Sequence, residues 1–323
     1  MSQTIEKSAH TNMFAPRYTQ IPTFMRVPHS VAPFREIGGC FADTLIDIGL
    51  IGVPFDGGVT NRPGARHGPR AVRDMSSLIR ATNNGFNPHE KANIYDLGDV
   101  FPEHPFELSE SLDSLTEQFK KITDAGIIPV SCGGDHSITL PILRNLGKGL
   151  ALIHFDAHCD TGGDYLGSKW HHGTPFKHAI DEGLINPHKA IQIGIRGTLN
   201  DPDQWKFSFD SGITVITMED FEDFGYSYVI TKIKEVVGDS PVYISFDVDC
   251  LDPVYAPGTG TPEIGGFTSR EALRMLAGIE GLNVIGGDVV EVCPPFDTHD
   301  QITALTGAAI MYEILCLVAK AIK

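Results

Sequence analysis

Positive charge is scarce in this chain of 323 residues: 25 Lys and Arg stand against 41 Asp and Glu, a formal net charge of −16. Nucleic acids and anionic membrane surfaces are recognised through basic patches, so neither is expected as a partner, whereas a small cationic substrate is. Long apolar runs are missing as well. Nowhere do eighteen apolar residues stand together, and the opening MSQTIEKSAHTNMF lacks the continuous apolar core of a secretory leader, so a cytoplasmic location is expected. Six cysteines (Cys40, Cys132, Cys159, Cys250, Cys293, Cys316) have no paired spacing and read as reduced, buried thiols. There is no internal repeat, no low-complexity tract and no P-loop. The glycines of GTGTPEIGG at 258–266 follow an aspartate-rich loop, not a strand feeding a helix, so they are no dinucleotide fingerprint either.

What is present is a repeated local pattern. GGDH at 133–136, HFDAHCD at 154–160 and SFDVDCLDP at 245–253 each follow a run rich in Val, Ile or Leu. Each therefore falls where a buried strand ends. Among them are His136, Asp156, His158, Asp160, Asp247 and Asp249. Four carboxylates gathered at neighbouring strand ends would raise one another's pKa unless cations lay between them, and two divalent ions supply that compensation. Carboxylate oxygens with two imidazoles and no thiolate suit manganese or another octahedral first-row ion better than a tetrahedral structural zinc. Aspartates two or four apart point the same way as a strand runs into its loop, so one carboxylate from each aspartate pair can bridge both ions.

Strand-like and helical runs alternate along the chain. Strands are predicted at 45–53, 92–100, 127–132, 150–156, 190–195, 212–218, 241–249 and 282–292, and helices at 69–81, 107–125, 138–146, 175–183, 226–237, 269–279 and from 301. Strands that are apolar nearly throughout, separated by helices, indicate an α/β fold with a mainly parallel sheet covered on both faces. Ligands of such sheets bind at the carboxyl ends of the strands, where all three motifs fall. Residues 1–40, with prolines at 16, 22, 28 and 33, read as an extended arm, and 41–323 as one catalytic domain.

The set GVPFDGG, RPGARHGPRAVR, GGDHS, HFDAHCDT, HGTPF, QIGIRG, SFDVDCLDPVYAPGTGTPEIGG and DVVEVCPPFD resembles the ureohydrolases, the arginase and agmatinase family. IPTFMR and TNRPGARHGPR make the likeness greatest to the guanidinopropionase and guanidinobutyrase branch. The resemblance implies an arginase-like three-layer αβα sandwich, a binuclear manganese site (nickel in a few relatives) and a homo-oligomer of three or six subunits. It implies that His136, Asp156, Asp160 and Asp247 hold one ion and His158, Asp156, Asp247 and Asp249 the other. It further implies that water activated by the ions attacks a guanidinium carbon, giving urea and an amine. Asp160 would move the proton, Glu291 would pair with the guanidinium, and His172 would shuttle protons to the leaving group, with the adjacent His171 as a competing assignment. His154 and Asp135 read as supports of the ligands rather than ligands.

The substrate tail is less determined. Guanidino-acid hydrolases and arginases have an asparagine two residues after the last aspartate of DAHCD, where it helps to hold a carboxylate; this chain has Gly162 and then Gly163. Tyr165 and Trp170 are candidates for an aromatic wall. Guanidino acids lead as substrates, with agmatine, alkylguanidines, guanidine or a biguanide such as metformin as rivals. A single-zinc deacetylase needs only one ion and so has no use for the complete ligand set. A non-catalytic assembly subunit would be free to lose ligands, and all six are present.

Overall fold

The computed structural model describes residues 16–30 and 45–322. Its strands are β1 (Ile48–Val53), β2 (Ile94–Asp99), β3 (Ile128–Gly133), β4 (Leu150–Phe155), β5 (Ile185–Ile195), β6 (Thr214–Thr217), β7 (Val242–Asp247) and β8 (Val284–Val290). Its helices are α1 (Gly68–Met75), α2 (Leu108–Asp124), α3 (Thr139–Leu143), α4 (Pro175–Asp181), α5 (Lys206–Ser211), α6 (Met218–Val237), α7 (Ser269–Gly278) and α8 (Ile302–Ala321). The strands form one sheet in the order β2-β1-β3-β8-β7-β4-β5-β6. Every pairing is parallel, so the mainly parallel expectation becomes a wholly parallel sheet.

Both faces of that sheet are dry, which explains why β4 and β7 are apolar with scarcely a break and buried at every position. On one face α1, α6, α7 and α8 close a core around Val72, Ile233, Leu276 and Ile314; on the other α2, α3 and α4 close a second around Phe119, Leu140 and Phe176. This is the three-layer αβα sandwich. Helix α8 is long and apolar enough to cross a membrane, yet most of it is buried inside the fold, where it packs on β8 and α1.

Several boundaries differ from expectation for local reasons. α6 starts at Met218 rather than 226, because Thr217 and Asp220 form a reciprocal capping box ahead of it; Gly225, at φ 73°, then kinks it at the point where the helix was expected to begin. β5 starts five residues early, at Ile185, and α5 was not anticipated at all.

Of the expected N-terminal arm, residues 16–22 are exposed and 23–30 are fastened to the rest of the chain. Phe24, Met25 and Val27 are buried in the first core, the Phe24 N–H donates to Asp96 Oδ2 at 2.8 Å, and the Arg73 guanidinium lies 4.2 Å above the Phe24 ring. The remaining stretches of the expected arm, 1–15 and 31–40, lie outside the described residues.

Candidate metal centre

Four strands that are consecutive in the sheet, β3, β8, β7 and β4, each end in one piece of the site. A 3-10 turn after β3 carries His136, the loop after β4 carries Asp156, His158 and Asp160, Asp247 closes β7 with Asp249 two residues on, and Glu291 directly follows β8. Three strand spacings span about 14 Å, so residues distant in sequence meet without long side chains.

Asp156 is the centre of the arrangement. Its Oδ2 lies 3.2 Å from His136 Nδ1 and its Oδ1 3.4 Å from His158 Nδ1. Asp160 and Asp247 also approach His136 Nδ1, at 2.9 and 3.3 Å, while Asp249 Oδ2 lies 3.2 Å from His158 Nδ1. His136 Nδ1 is wholly buried and, for all these oxygens around it, has no hydrogen-bond partner of proper geometry. A buried imidazole nitrogen facing three carboxylates without bonding any is what a cation site presents. Asp156, His158 and Asp249 form the second such group. The residues present therefore fit two ions sharing Asp156.

Electrostatics points the same way. Burial opposes a proton on His136, but Asp156, Asp160 and Asp247 outweigh it and raise its pKa well above the imidazole range. His158 is raised likewise against burial by Asp249 and Asp156. Burial, then Asp249 and Asp156, pushes Asp247 well above the carboxylate range. For Asp156 burial pulls the other way, yet His154 and His136 hold it well below that range. In the metal-free chain, protons thus supply the positive charge that divalent ions would replace.

Buried polar residues fix the ligands from behind. His136 Nε2 meets Ser245 Oγ at 2.9 Å, and Ser245 donates in turn to Asp288 Oδ1 at 2.6 Å. Asp288 also accepts from Thr139 and Tyr243 and has no solvent exposure. When His136 is neutral, as a metal ligand must be, this relay keeps its one proton on Nε2 and leaves Nδ1 for the basin. Gln192 Nε2 lies 3.2 Å from His154 Nδ1, so His154 Nε2–H donates to Asp156 Oδ2 at 2.7 Å. His154 is thereby occupied in orienting Asp156. Asp135 accepts from Ser137 N–H and Gly58 N–H, tying the 136–138 turn to the loop after β1.

His172 and Glu291 form a second unit beside the basin. His172 Nδ1 is 2.9 Å from Glu291 Oε1, which also accepts from the His136 backbone N–H at 2.9 Å, while Glu291 Oε2 is buried without a partner. Burial opposes charging His172, but Glu291 outweighs it and its pKa is pushed up to about 9. Thr60 Oγ1 meets the other ring nitrogen at 2.8 Å. His171, by contrast, is bonded at both nitrogens to the backbone of Gly163 and Gly173. The two histidines are thus separated by environment: His172 faces the carboxylate and His171 holds a loop. Both Asp160 (φ 51°) and Glu291 (φ 63°) occupy left-handed backbone, a conformation that is costly for non-glycine residues and concentrates at working sites.

A family model, the arginase family, matches residues 46–317. The chain belongs to the arginase family. It is 48% identical to the guanidinopropionase of Pseudomonas aeruginosa over 310 residues, covering 94% of each chain. It is 40% identical to the guanidinobutyrase of the same organism, covering 94% of this chain and 93% of that one. The solved structure of proclavaminate amidino hydrolase from Streptomyces clavuligerus superposes with a TM-score of 0.88 at 40% identity, covering 95% of this chain and all of that one.

In this member of the arginase family the basin opens into a cleft of about 300 Å³ lined by His158, Asp160, His172 and Asp247 within and by Tyr165 and Trp205 farther out. Trp170 is not among its lining residues. Its indole lies 4.1 Å from the His178 ring and packs beside Arg144 and the second core, so the expected aromatic wall loses that member. Trp170 turns away because α4 begins five residues later and offers His178 as a stacking partner. Trp205 stands in the wall instead, just ahead of the unanticipated α5. Sequence reasoning also passed over Ser245, Asp288 and Gln192. One signal was present for Asp288: a carboxylate inside an otherwise apolar strand must find buried donors.

Proposed function

We propose that this chain is a binuclear-metal ureohydrolase that adds water across a C–N bond of a small guanidino compound, releasing urea and an amine, with a guanidino acid such as 3-guanidinopropionate or 4-guanidinobutyrate as leading substrate. The observation that carries the reading is the sharing of Asp156 between His136 and His158, with the His172–Glu291 pair beside it. His136, Asp156, Asp160 and Asp247 would hold one ion and His158, Asp156, Asp247 and Asp249 the other; manganese suits this oxygen-rich set, with nickel the alternative. When bound, the ions supply Lewis acidity and an activated water.

The chain's own residues do the rest. Glu291 Oε2, buried and unpartnered, is placed to accept from the guanidinium, whose flat donor edge suits a carboxylate. Asp160 lines the cleft beside the basin and can take the proton released when water adds. An amine cannot leave as an anion, so the departing nitrogen needs a proton; His172, kept protonated by Glu291, is the donor at hand. Identity to the two Pseudomonas enzymes supports the guanidino-acid tail. A tail without a carboxylate is the second reading, favoured by Gly162, which stands where the carboxylate-holding asparagine would be and where even an added Cβ would come within 2.9 Å of Gly173 O. Assembly as a trimer or hexamer and a cytoplasmic location belong to the same proposal.

The deciding experiment is urea release by protein loaded separately with manganese and nickel, tested against 3-guanidinopropionate, 4-guanidinobutyrate, agmatine, arginine, guanidine and metformin, with metal analysis alongside. About two ions per chain and urea from at least one guanidino compound support the reading. One ion per chain points to deacetylase-like chemistry, and none to an assembly subunit.

A further inference from the structure

Among the described residues, the outer cleft offers a substrate tail no free cation. Arg196 is the one Lys or Arg among the described residues lining it, and its guanidinium is fully engaged. Nε donates to Ile264 O, Nη1 to Gly194 O and Cys250 O, and Nη2 to Asp249 O, Leu251 O and Glu263 O. Five N–H groups meet these carbonyls in a residue only 6% exposed, so no donor remains for a carboxylate. The imidazoles are committed as well, His171 to backbone, His172 to Glu291 and Thr60, and His158 to Asp156 and Asp249. Apart from the Glu263 carboxylate, which repels an anionic tail, the side chains lining the mouth are neutral. The Tyr165 hydroxyl, the Asn200 side-chain amide, the Gln204 Nε2 and the Trp205 indole N–H have no hydrogen-bond partner among the described residues, while Gln204 Oε1 accepts from the Asn200 N–H.

We propose that the outer cleft selects the substrate tail through the aromatic faces of Trp205 and Tyr165 and neutral hydrogen bonds from Asn200 and Gln204, without an ion pair. This rests on the ureohydrolase reading and deepens it: guanidino compounds with uncharged, methylene-rich tails are substrates alongside guanidino acids. Indole and phenol faces hold methylenes or a delocalised planar group by area and by their quadrupole. A site that pairs a buried charge rejects a partner lacking the opposite one by several orders of magnitude, whereas neutral donors open to water do not. Trp205 is then a specificity-determining residue, in the place first expected of Trp170.

The chain has two tryptophans, so each can be made the sole reporter. In manganese-loaded Trp170→Phe, emission from Trp205 is expected to change saturably on titration with 3-guanidinopropionate and with propylguanidine; in Trp205→Phe the remaining Trp170 should stay silent. In wild type, kcat/KM for the acid should exceed that for propylguanidine by no more than about 30-fold, and Trp205→Ala should raise KM for both by about 10- to 100-fold with kcat little changed. A preference for the acid above about 10³-fold, a silent Trp205, or an unchanged KM in Trp205→Ala overturns the proposal. Urea from no guanidino compound overturns the ureohydrolase reading itself, whereas urea from guanidino acids alone overturns only the neutral wall.

Discussion

The inner basin and the outer mouth of the cleft are built on opposite principles. In the basin, every candidate ligand stands at the end of one of four adjacent strands, and most are held from behind by a buried partner: Ser245 behind His136, His154 behind Asp156, Ala157 N–H on Asp249. At the mouth, Tyr165 is 48% exposed and Asn200, Gln204 and Trp205 belong to a loop after β5 whose side chains bond little of the protein. Charge divides the same way, four aspartates and Glu291 within and, without, neutral groups with Glu263 the one carboxylate among them. Chemistry that needs fixed distances sits on the sheet, and selection of the tail sits on loops that can change without disturbing it.

That contrast predicts where substitution is catastrophic. Asp156→Asn removes the one carboxylate shared by both histidine groups, so bound metal should fall from about two ions per chain to one or fewer and kcat by at least about 10³-fold. Metal analysis and urea release on the same preparation check this. Two ions retained with kcat unchanged would remove Asp156 as the bridge.

A smaller loss, about 10²- to 10³-fold in kcat/KM, is expected for Glu291→Gln, which takes a charge from the guanidinium and from His172 at once. It also carries a pH signature. His172 is raised in the folded chain from an ordinary 6.5 to about 9, so the stabilisation it draws from Glu291 is complete below pH 6.5 and fades as pH rises through 9. In metal-free protein, the wild type should therefore exceed Glu291→Gln in Tm by more at pH 6 than at pH 9.5. A Tm gap constant across that range would show that the pair does not set the His172 charge.

One step farther from the reacting atoms the effect should shrink again. Asp288→Asn weakens the relay through Ser245 that leaves His136 Nδ1 facing the basin, and manganese affinity should drop about 10- to 100-fold while two ions still bind at saturation. Calorimetric titration with manganese reads this directly. Affinity unchanged in that variant would reduce the Asp288 network to packing.

How much of this was legible in the sequence follows from the same division. The parallel sheet and the basin were readable because the ligands come as short motifs, each after an apolar strand, and alternation within DAHCD and DVD sets which side chains converge. The supports were not, because Ser245, Asp288 and Gln192 act across neighbouring strands whose order no local pattern encodes. The mouth was misread for a further reason: Trp170 and Trp205 are both loop aromatics, and which one faces the cleft depends on α4 offering His178 to one of them. Helix α5, six residues long, carries too little periodicity to announce that Trp205 precedes it.

The smallest catalytic effect is expected at Trp170, where the sequence alone points to recognition. Trp170→Ala removes the indole from its stack on His178 and from its contact with Arg144, which itself pairs with Glu182. Because that packing lies outside the cleft, KM for any substrate should stay within about twofold of wild type. The loss should appear in stability instead. A half-buried tryptophan gives up less than the 3–5 kcal/mol of a fully buried one, about 2 kcal/mol, lowering Tm by a few degrees. Set against Trp205→Ala, the two variants separate on KM: Trp170→Ala spares it and Trp205→Ala raises it. If both move KM alike, the loop bearing Trp170 reaches into the mouth during turnover, and Trp170 belongs to the wall rather than to the packing.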